Sequence, residues 1–133
     1  MSDTTTHITQ INPDSLGPAI APYAQATVTG NMVFIAGQVA LDAKNEVIAP
    51  FDARAQTVAT LERVETILAE AGGTLDDIVT ATVWLTDPSH FKAFNEGWAE
   101  KFGDHRPARA TLRSDLLFHG LVVEIQSIAV LDR

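Results

Sequence analysis

An arginine and a glutamate in two extended apolar segments have the side-chain types needed to handle a small anion and a proton. Arg109 follows Pro107 at the start of one segment, where proline favours extended backbone. Glu124 lies between Val123 and Ile125, so a strand that buries those two side chains turns Glu124 to its opposite face. If the two segments are paired strands, Arg109 and Glu124 form either an anion-binding, proton-handling site or a cross-strand ion pair. Spacing alone favours the ion pair.

The composition is that of one globular domain without cysteine chemistry. The 133 residues fit a single domain over 1–133, in which the polar segment 1–12 is expected to be loosely ordered. The sequence has no cysteine, which excludes disulfides, thiolate nucleophiles and cysteine-ligated metals. The 4 histidines show no metal-ligand spacing, so we predict no metal site. Dinucleotide, P-loop and nucleophile-elbow motifs are also missing from the sequence.

The charge balance limits the partners of the protein. The formal net charge is −8, from 9 basic and 17 acidic residues, which disfavours nucleic acids and anionic membranes. Basic residues approach clustering only at Arg106, Arg109 and Arg113. A small anionic substrate therefore requires a local, well-placed arginine. The sequence has neither a signal-peptide pattern nor an apolar run of membrane-spanning length, so a cytoplasmic location is the default expectation.

Hydrophobic periodicity predicts the elements that position these residues. Gly30 and Asn31 between two apolar runs predict a hairpin, and helical spacing predicts a helix from about Phe51 to Ala71. A strand over 78–86 is followed by a helix that Asp87 caps, and further strands begin at about 109 and 121. The resulting order, β-β-α-β-α-β-β, predicts an α+β sandwich with one sheet and two helices on one face.

Three local features refine this prediction. Alternation in the strand over 78–86 places Val79 on the same face as Ala81, Val83 and Leu85. The missing side chain at Gly37 allows a backbone or a ligand to approach closely. The second sheet face carries many apolar residues and has no helix to cover it, which indicates an oligomer.

Seven stretches of the sequence, taken in order, resemble the RidA family, the YjgF-type reactive intermediate (imine/enamine) deaminases. They span nearly the whole chain: APYAQA at 21–26, GNMVFIAGQV at 30–39, AGGTLDDIV at 71–79, VWLTD at 83–87, FKAFN at 91–95, RPARAT at 106–111 and VEI at 123–125. The resemblance implies a chorismate-mutase-like fold, a homotrimer whose sheets form a central barrel, and active sites between subunits. It also implies a hydrolase without a cofactor, similar to the 2-iminobutanoate/2-iminopropanoate deaminases.

The resemblance further implies roles for individual residues. Arg109 matches the family arginine that grips the substrate carboxylate, and Glu124 matches the glutamate that positions the attacking water. Tyr23, Gly37 and Asn95 match residues that line the substrate cleft. Thr111 and Phe118 are the remaining candidate substrate-binding residues. Thr111 takes the place of a cysteine common in relatives, and Phe118 lies in the stretch 115–119, which departs from the usual family pattern.

These observations lead to several functional hypotheses. The first is hydrolysis of 2-imino and 2-enamino acids to 2-oxo acids and ammonia. A specialised deaminase of the aminoacrylate or aminomuconate type is an alternative, because the departure at 115–119 borders the cleft in the family. A non-catalytic trimer that binds small carboxylates or proteins is another. RNA cleavage, proposed for some relatives, is disfavoured by the charge of −8.

Overall fold

A six-stranded mixed sheet and two helices make up the computed structural model, which describes residues 7–132. The elements are β1 (Thr9–Ile11), β2 (Ala26–Thr29), β3 (Met32–Val39), α1 (Ala53–Ala71), β4 (Ile78–Leu85), α2 (Phe91–Phe102), β5 (Ala108–Arg113) and β6 (Val123–Val130). The strands lie side by side in the order β1-β2-β3-β6-β4-β5, and only the β4–β5 pair is parallel. The predicted α+β class with one sheet and two helices is confirmed.

The ends of the helices are set by capping residues, and the predicted end of α1 at Ala71 is confirmed. The Asp52 side chain accepts a hydrogen bond from Ala55 N at the start of α1, and Gly72 ends that helix in the left-handed conformation. Asp87 caps the 3-10 turn that leads into α2, where its side chain accepts from Ser89 N. Phe51, given above as the approximate start of α1, instead lies just before the helix with a φ of 65°.

The core lies between the helices and one face of the sheet. Phe94, Trp98 and Phe102 of α2 are buried in it, whereas Phe91 at the start of the same helix is 47% exposed. From the strands, Val123 and Ile125 enter the same core, which turns Glu124 outward as the alternation predicts.

The structure corrects two predictions about strands. The segment 1–12 is not loose throughout, because Thr9–Ile11 pairs with β2 and buries Ile11; residues 1–6 lie outside the described residues. Val79 is 47% exposed and does not share the buried face of Ala81. A register shift between Ile78 and Thr80 causes this, since the irregularity turns Ile78 inward in place of its neighbour.

The strand order also corrects the expected pairing of the arginine and glutamate strands. β5 pairs with β4 and lies at the sheet edge, whereas β6 lies between β3 and β4. Arg109 aligns with Ala81, and Glu124 aligns with Trp84, so one strand separates the two residues. A hydrogen-bonded cross-strand pair between them is therefore impossible.

The sheet face opposite the helices, called here the open face, carries apolar side chains that no described element covers. Met32, Phe34 and Leu112 are 36%, 39% and 49% exposed. Phe34 aligns with Ile128, and Met32 aligns with Val130, so these apolar groups form a band across β3 and β6, and Leu112 lies beside Trp84 at the edge strand of the same face. Exposed apolar bands of this kind commonly mark sites of association.

Candidate functional site

Arg109 forms an arginine cluster with Asn95 and Thr111 where α2 lies against the edge strand β5. Its Nη2 donates to Asn95 Oδ1 at 2.9 Å, and its Nε donates to Thr111 Oγ1 at 2.9 Å. The first bond links the helix to the strand, and the second fixes the guanidinium along β5. Neither hydrogen of Nη1 has a partner among residues 7–132, so this edge of the guanidinium can receive an anion.

Aromatic rings surround the same guanidinium. The Arg109 Cζ atom lies 4.8 Å from the ring centroid of Phe94, 4.9 Å from that of Trp98 and 5.9 Å from that of Phe91. A cation above aromatic faces is attracted to them and restricted to a narrow range of orientations. Burial lowers the pKa of Arg109 from its ordinary value, yet arginine stays protonated at neutral pH. The cluster is thus a fixed, partly desolvated cation.

Glu124 lies in a cavity of about 340 Å3 at the other side of the sheet. We call it the Glu124 cavity; its lining includes Tyr23, Gly37, Phe118 and the apolar side chains of Ile20, Val39, Leu41, Leu117 and Leu121. The carboxylate forms no hydrogen bond or ion pair within the described part of the chain. Burial raises the pKa of Glu124 above its ordinary value. A carboxylate without a partner in apolar surroundings is a stronger base than one in water.

Gly37 leaves the space that this carboxylate occupies. A Cβ atom at Gly37 would collide with Glu124 Oε2. The glycine lies in the register shift between Ile35 and Gln38, where β3 and β6 are irregularly paired. The predicted close approach at Gly37 is therefore present in the structure, and the group that approaches is the Glu124 side chain.

The arginine cluster and the Glu124 cavity lie on opposite faces of the sheet. Arg109 contacts side chains of α2 on the helix-covered face, whereas Glu124 alternates with core residues and points to the open face. The predicted ion pair is wrong, since the chain has no salt bridge between these residues. One chain presents two separate half-sites.

The structure divides the predicted site residues between these half-sites. Asn95 and Thr111 lie with Arg109, and Tyr23, Gly37 and Phe118 lie with Glu124. Sequence reasoning did not identify Phe94 and Trp98 as partners of Arg109, although Trp98 follows Asn95 by three positions and Phe94 by four, spacings that place Trp98 beside each of them on α2. Leu117, 94% exposed at the cavity mouth, carries no sequence signal that separates it from any other loop leucine.

Residues 7–132 contain neither a metal-binding cluster nor a membrane-spanning helix. These residues contain no group of three or more histidine, cysteine, aspartate or glutamate side chains placed to hold a metal ion. His105, one of the four histidines, contacts the carbonyl oxygen of Ile78 through Nε2 at 2.7 Å. In the same part of the chain, neither helix has the length and apolar character needed to cross a membrane.

Comparison with known proteins identifies the family. The model of the family described as Endoribonuclease L-PSP matches residues 15–131. The 3-aminoacrylate deaminase RutC of Acinetobacter baylyi is 38% identical over 119 residues, which cover 90% of this chain and 94% of that protein.

Solved structures agree in fold over nearly the whole chain. RidA from an Antarctic Psychrobacter species superposes with a TM-score of 0.85 at 36% identity, over 92% of this chain and 99% of that one. E. coli TdcF with bound serine gives a TM-score of 0.85 at 32% identity, over 93% and 99% of the two chains. The resemblance found in the sequence is confirmed, and the chain belongs to the endoribonuclease L-PSP family, which includes the RidA and RutC proteins.

Proposed function

We propose that the protein hydrolyses reactive 2-imino and 2-enamino acids to 2-oxo acids and ammonia. The observation that carries this proposal is the pair of half-sites: a fixed guanidinium with a free edge, and a partly buried carboxylate without a partner. A 2-imino acid presents a carboxylate beside an electrophilic carbon, and these half-sites match the two groups. The similarity to a 3-aminoacrylate deaminase supports deamination at the level of the family.

Arg109 binds the substrate carboxylate in this proposal. The guanidinium is planar, and its free Nη1 edge donates to carboxylate oxygens in a way that an ammonium cannot. Asn95 and Thr111 occupy other donors and so fix which edge faces the substrate. The aromatic rings restrict the guanidinium plane, which lowers the entropy lost on binding.

Glu124 acts on water. Its carboxylate accepts a proton as the water oxygen attacks the carbon of the protonated C=N group, which yields a tetrahedral carbinolamine. It then gives that proton to the nitrogen and takes the proton of the carbinolamine hydroxyl as the C–N bond breaks, so that ammonia leaves and the 2-oxo acid forms. An enamine first takes a proton from solvent at its β-carbon, which gives the same protonated imine. The raised pKa of Glu124 suits both steps, because the same group must accept and donate a proton.

A homotrimer brings the two half-sites together. Within one chain they lie on opposite sheet faces, so a complete site requires Arg109 from one copy and Glu124 from its neighbour. The exposed apolar side chains Met32, Phe34 and Leu112 on the open face support association of copies through that face. Three sheets packed in this way form a barrel with clefts between neighbouring subunits.

Two alternatives keep the same half-sites. A specialised deaminase of the aminoacrylate or aminomuconate type would use them on one substrate, with Leu117 and Phe118 setting the preference. A non-catalytic trimer would bind small carboxylates or a protein partner, and the bound serine in TdcF supports small-molecule binding. Cleavage of RNA is disfavoured by the net charge of −8.

The test measures ammonia release from 2-iminobutyrate or 2-aminoacrylate, generated in situ with and without the protein, beside an RNA incubation. We expect faster ammonia release with the wild type and none above background with Arg109→Ala. Serine binding without any acceleration would favour the non-catalytic trimer. RNA cleavage that survives Arg109→Ala, without an effect on ammonia, would contradict the proposal.

The assembly has its own test. Native mass spectrometry at low micromolar concentration should show three copies together, and Phe34→Asp on the open face should reduce the assembly to single chains. Lys44→Asp, in the exposed turn over 42–46, is a control that should leave it intact. A wild-type chain that remains monomeric would contradict both the trimer and the shared site.

A further inference from the structure

A chain of polar side chains runs behind the wall of the Glu124 cavity, and it begins at a cation on helix α1. Arg63 donates from Nε to Gln38 Oε1 at 3.1 Å, and Gln38 donates from Nε2 to Gln25 Oε1 at 2.8 Å. The backbone N of Gln25 donates to Asn12 Oδ1 at 3.0 Å. Both glutamines are almost fully buried, at 2% and 3% exposure. Polar groups at such depth restrict their neighbours to one arrangement.

The same chain is bonded to the cavity wall at two places. Arg63 donates from Nη1 to the carbonyl oxygen of Leu41 at 2.8 Å, and Gln38 donates from Nε2 to that of Ala36 at 3.2 Å. Ala36 and Leu41 both line the Glu124 cavity, with Gly37 between them. Arg63 therefore fixes the segment that leaves room for the Glu124 carboxylate.

The loop that carries Tyr23 is attached to this chain as well. Gln25 follows Tyr23 by two residues, and its carbonyl oxygen accepts from Ala36 N at 2.9 Å. Tyr23 and Arg63 line the same small space beside Gly37. The Arg63 side chain thus reaches both segments that form one side of the cavity.

Arg63 has no ion pair that would explain its burial. Its guanidinium contacts no carboxylate within residues 7–132, where the salt bridges belong to Arg54, Lys101 and Arg113. Burial lowers the pKa of Arg63, and the charge interaction with Tyr23 opposes that change. Burying a cation costs free energy, and here two neutral oxygens, of the Gln38 amide and the Leu41 carbonyl, accept from the partly buried guanidinium and offset part of that cost.

The space at Arg63 is too small for a substrate group. Its volume is about 10 Å3, which is room for about one water molecule. Arg63 is therefore not a second anion-binding residue in this arrangement. Its Nε and Nη1 atoms donate to the protein's own chain, as those of a residue with a positioning role do.

We propose that Arg63 is a positioning residue for the reaction: through Gln38 and Leu41 it sets the Ala36–Leu41 wall, and with it Tyr23, around Glu124. This inference rests on the proposed deaminase function. The arginine cluster contains none of these residues. Removing Arg63 should therefore disturb the placement of water and leave carboxylate binding alone.

The kinetic test compares Arg63→Met with Arg54→Met, which removes an exposed arginine of the same helix, paired with Glu100 at 2.7 Å. For Arg63→Met we expect kcat to fall about 10- to 100-fold while KM changes less than about twofold. Arg54→Met should keep both parameters. An Arg63→Met variant with native kcat would overturn the proposal.

A second readout does not depend on activity. The sequence contains a single tyrosine, Tyr23, so 13C-labelled tyrosine gives an NMR signal from this position alone. The signal should shift or broaden in Arg63→Met and stay at its wild-type position in Arg54→Met. An unchanged signal in Arg63→Met would overturn the positioning role, even if kcat fell.

The two readouts also separate this inference from the function on which it rests. If the wild type releases no ammonia, the proposed function fails, and the tyrosine signal still decides whether Arg63 positions the cavity wall. If Arg63→Met does not fold, Arg63→Lys replaces it, because an ammonium lacks the planar fork that reaches Gln38 and Leu41 together. A folded Arg63→Lys with a wild-type tyrosine signal would overturn the proposal equally.

Discussion

The two half-sites differ in how completely each is built within one chain. Arg109 has hydrogen bonds to a helix and to its own strand, and aromatic rings on its faces. Glu124 has no hydrogen-bonding partner in the described residues and borders a cavity formed partly by loops. Arg109 is therefore fixed within one chain, whereas the Glu124 carboxylate is free of partners among the described residues; under the proposed function, these are the substrate-binding group and the base.

This difference follows from what each group must do. A group that recognises a carboxylate gains from a fixed orientation, because less entropy is lost on binding. A group that takes and returns a proton must keep its oxygens free and its pKa near the working range. In the structure, aromatic rings contact the Arg109 guanidinium, and burial raises the pKa of Glu124 above its ordinary value. Substitutions of Arg109 and of Glu124 should therefore change different kinetic parameters.

The largest expected effect is that of Glu124→Gln. The amide keeps the shape and fills the space beside Gly37 but cannot accept a proton, so kcat should fall about 10²- to 10⁴-fold. KM and the assembly should persist, because the arginine cluster is untouched. Imine hydrolysis followed as ammonia release measures this, with the exposed Glu62→Gln as the matched control. Loss of the assembly would instead indicate a structural role for Glu124.

The second-largest expected effect is that of Arg109→Lys, which tests the arginine cluster. Lysine retains the charge but not the fork or its bonds to Asn95 and Thr111, so kcat/KM should fall roughly 10- to 150-fold. Arg109→Ala should cost more, and neither variant should alter thermal stability greatly. Arg113→Lys, an exposed arginine of the same strand, is the control. Near-native activity of Arg109→Lys would mean that Arg109 does not bind the carboxylate.

Mixing two inactive variants tests whether the half-sites come from different copies. Arg109→Ala and Glu124→Gln chains, unfolded together and refolded at equal amounts, should regain roughly a quarter of the wild-type sites by random assembly. Each variant refolded alone should stay inactive. If the mixture recovers no activity while forming trimers, a site shared between neighbouring copies is ruled out.

The smallest expected effect concerns pH. Burial raises the pKa of Glu124 in the folded state above its value in the unfolded chain. In the pH interval between these two pKa values, the folded state therefore binds more protons than the unfolded state. The free energy of unfolding therefore falls as pH rises through the interval, and Glu124→Gln removes this loss. Its Tm should exceed the wild-type value at about pH 7 and match it at about pH 4. A lower Tm at neutral pH would contradict apolar burial as the cause.

Local pattern was enough to predict both helices, five of the six strands and the direction of Glu124. Alternation about Val123 and Ile125 predicted which face Glu124 takes, and the cap Asp87 is formed by neighbours in sequence. Thr9–Ile11 was missed because three residues give no periodic signal and their strand exists only through its pairing with β2. The exposure of Val79 was not predicted, because the alternation of apolar residues in the sequence does not reveal a bulge.

The parts of the site that depend on long-range pairing could not be predicted. Sequence spacing suggested that Arg109 and Glu124 share a strand pair, but the position of β4 between their strands follows from the packing of the whole sheet. Arg63 gave no signal either, because a charged residue on an amphipathic helix normally faces solvent. Its role depends on Gln38 and Leu41, which lie 25 and 22 positions away in sequence.

The central position of β6 in the sheet has a consequence for synthesis on the ribosome. Without β6, the strand pairings of the finished sheet fall into two separate ladders, β1-β2-β3 and β4-β5. We expect these ladders to join only when the last strand inserts between β3 and β4, which is a late, non-local step. Glu124 lies on that strand, so a chain whose translation has not reached β6 contains Arg109 but not Glu124. Under the proposed function, activity is then confined to molecules whose translation has passed β6.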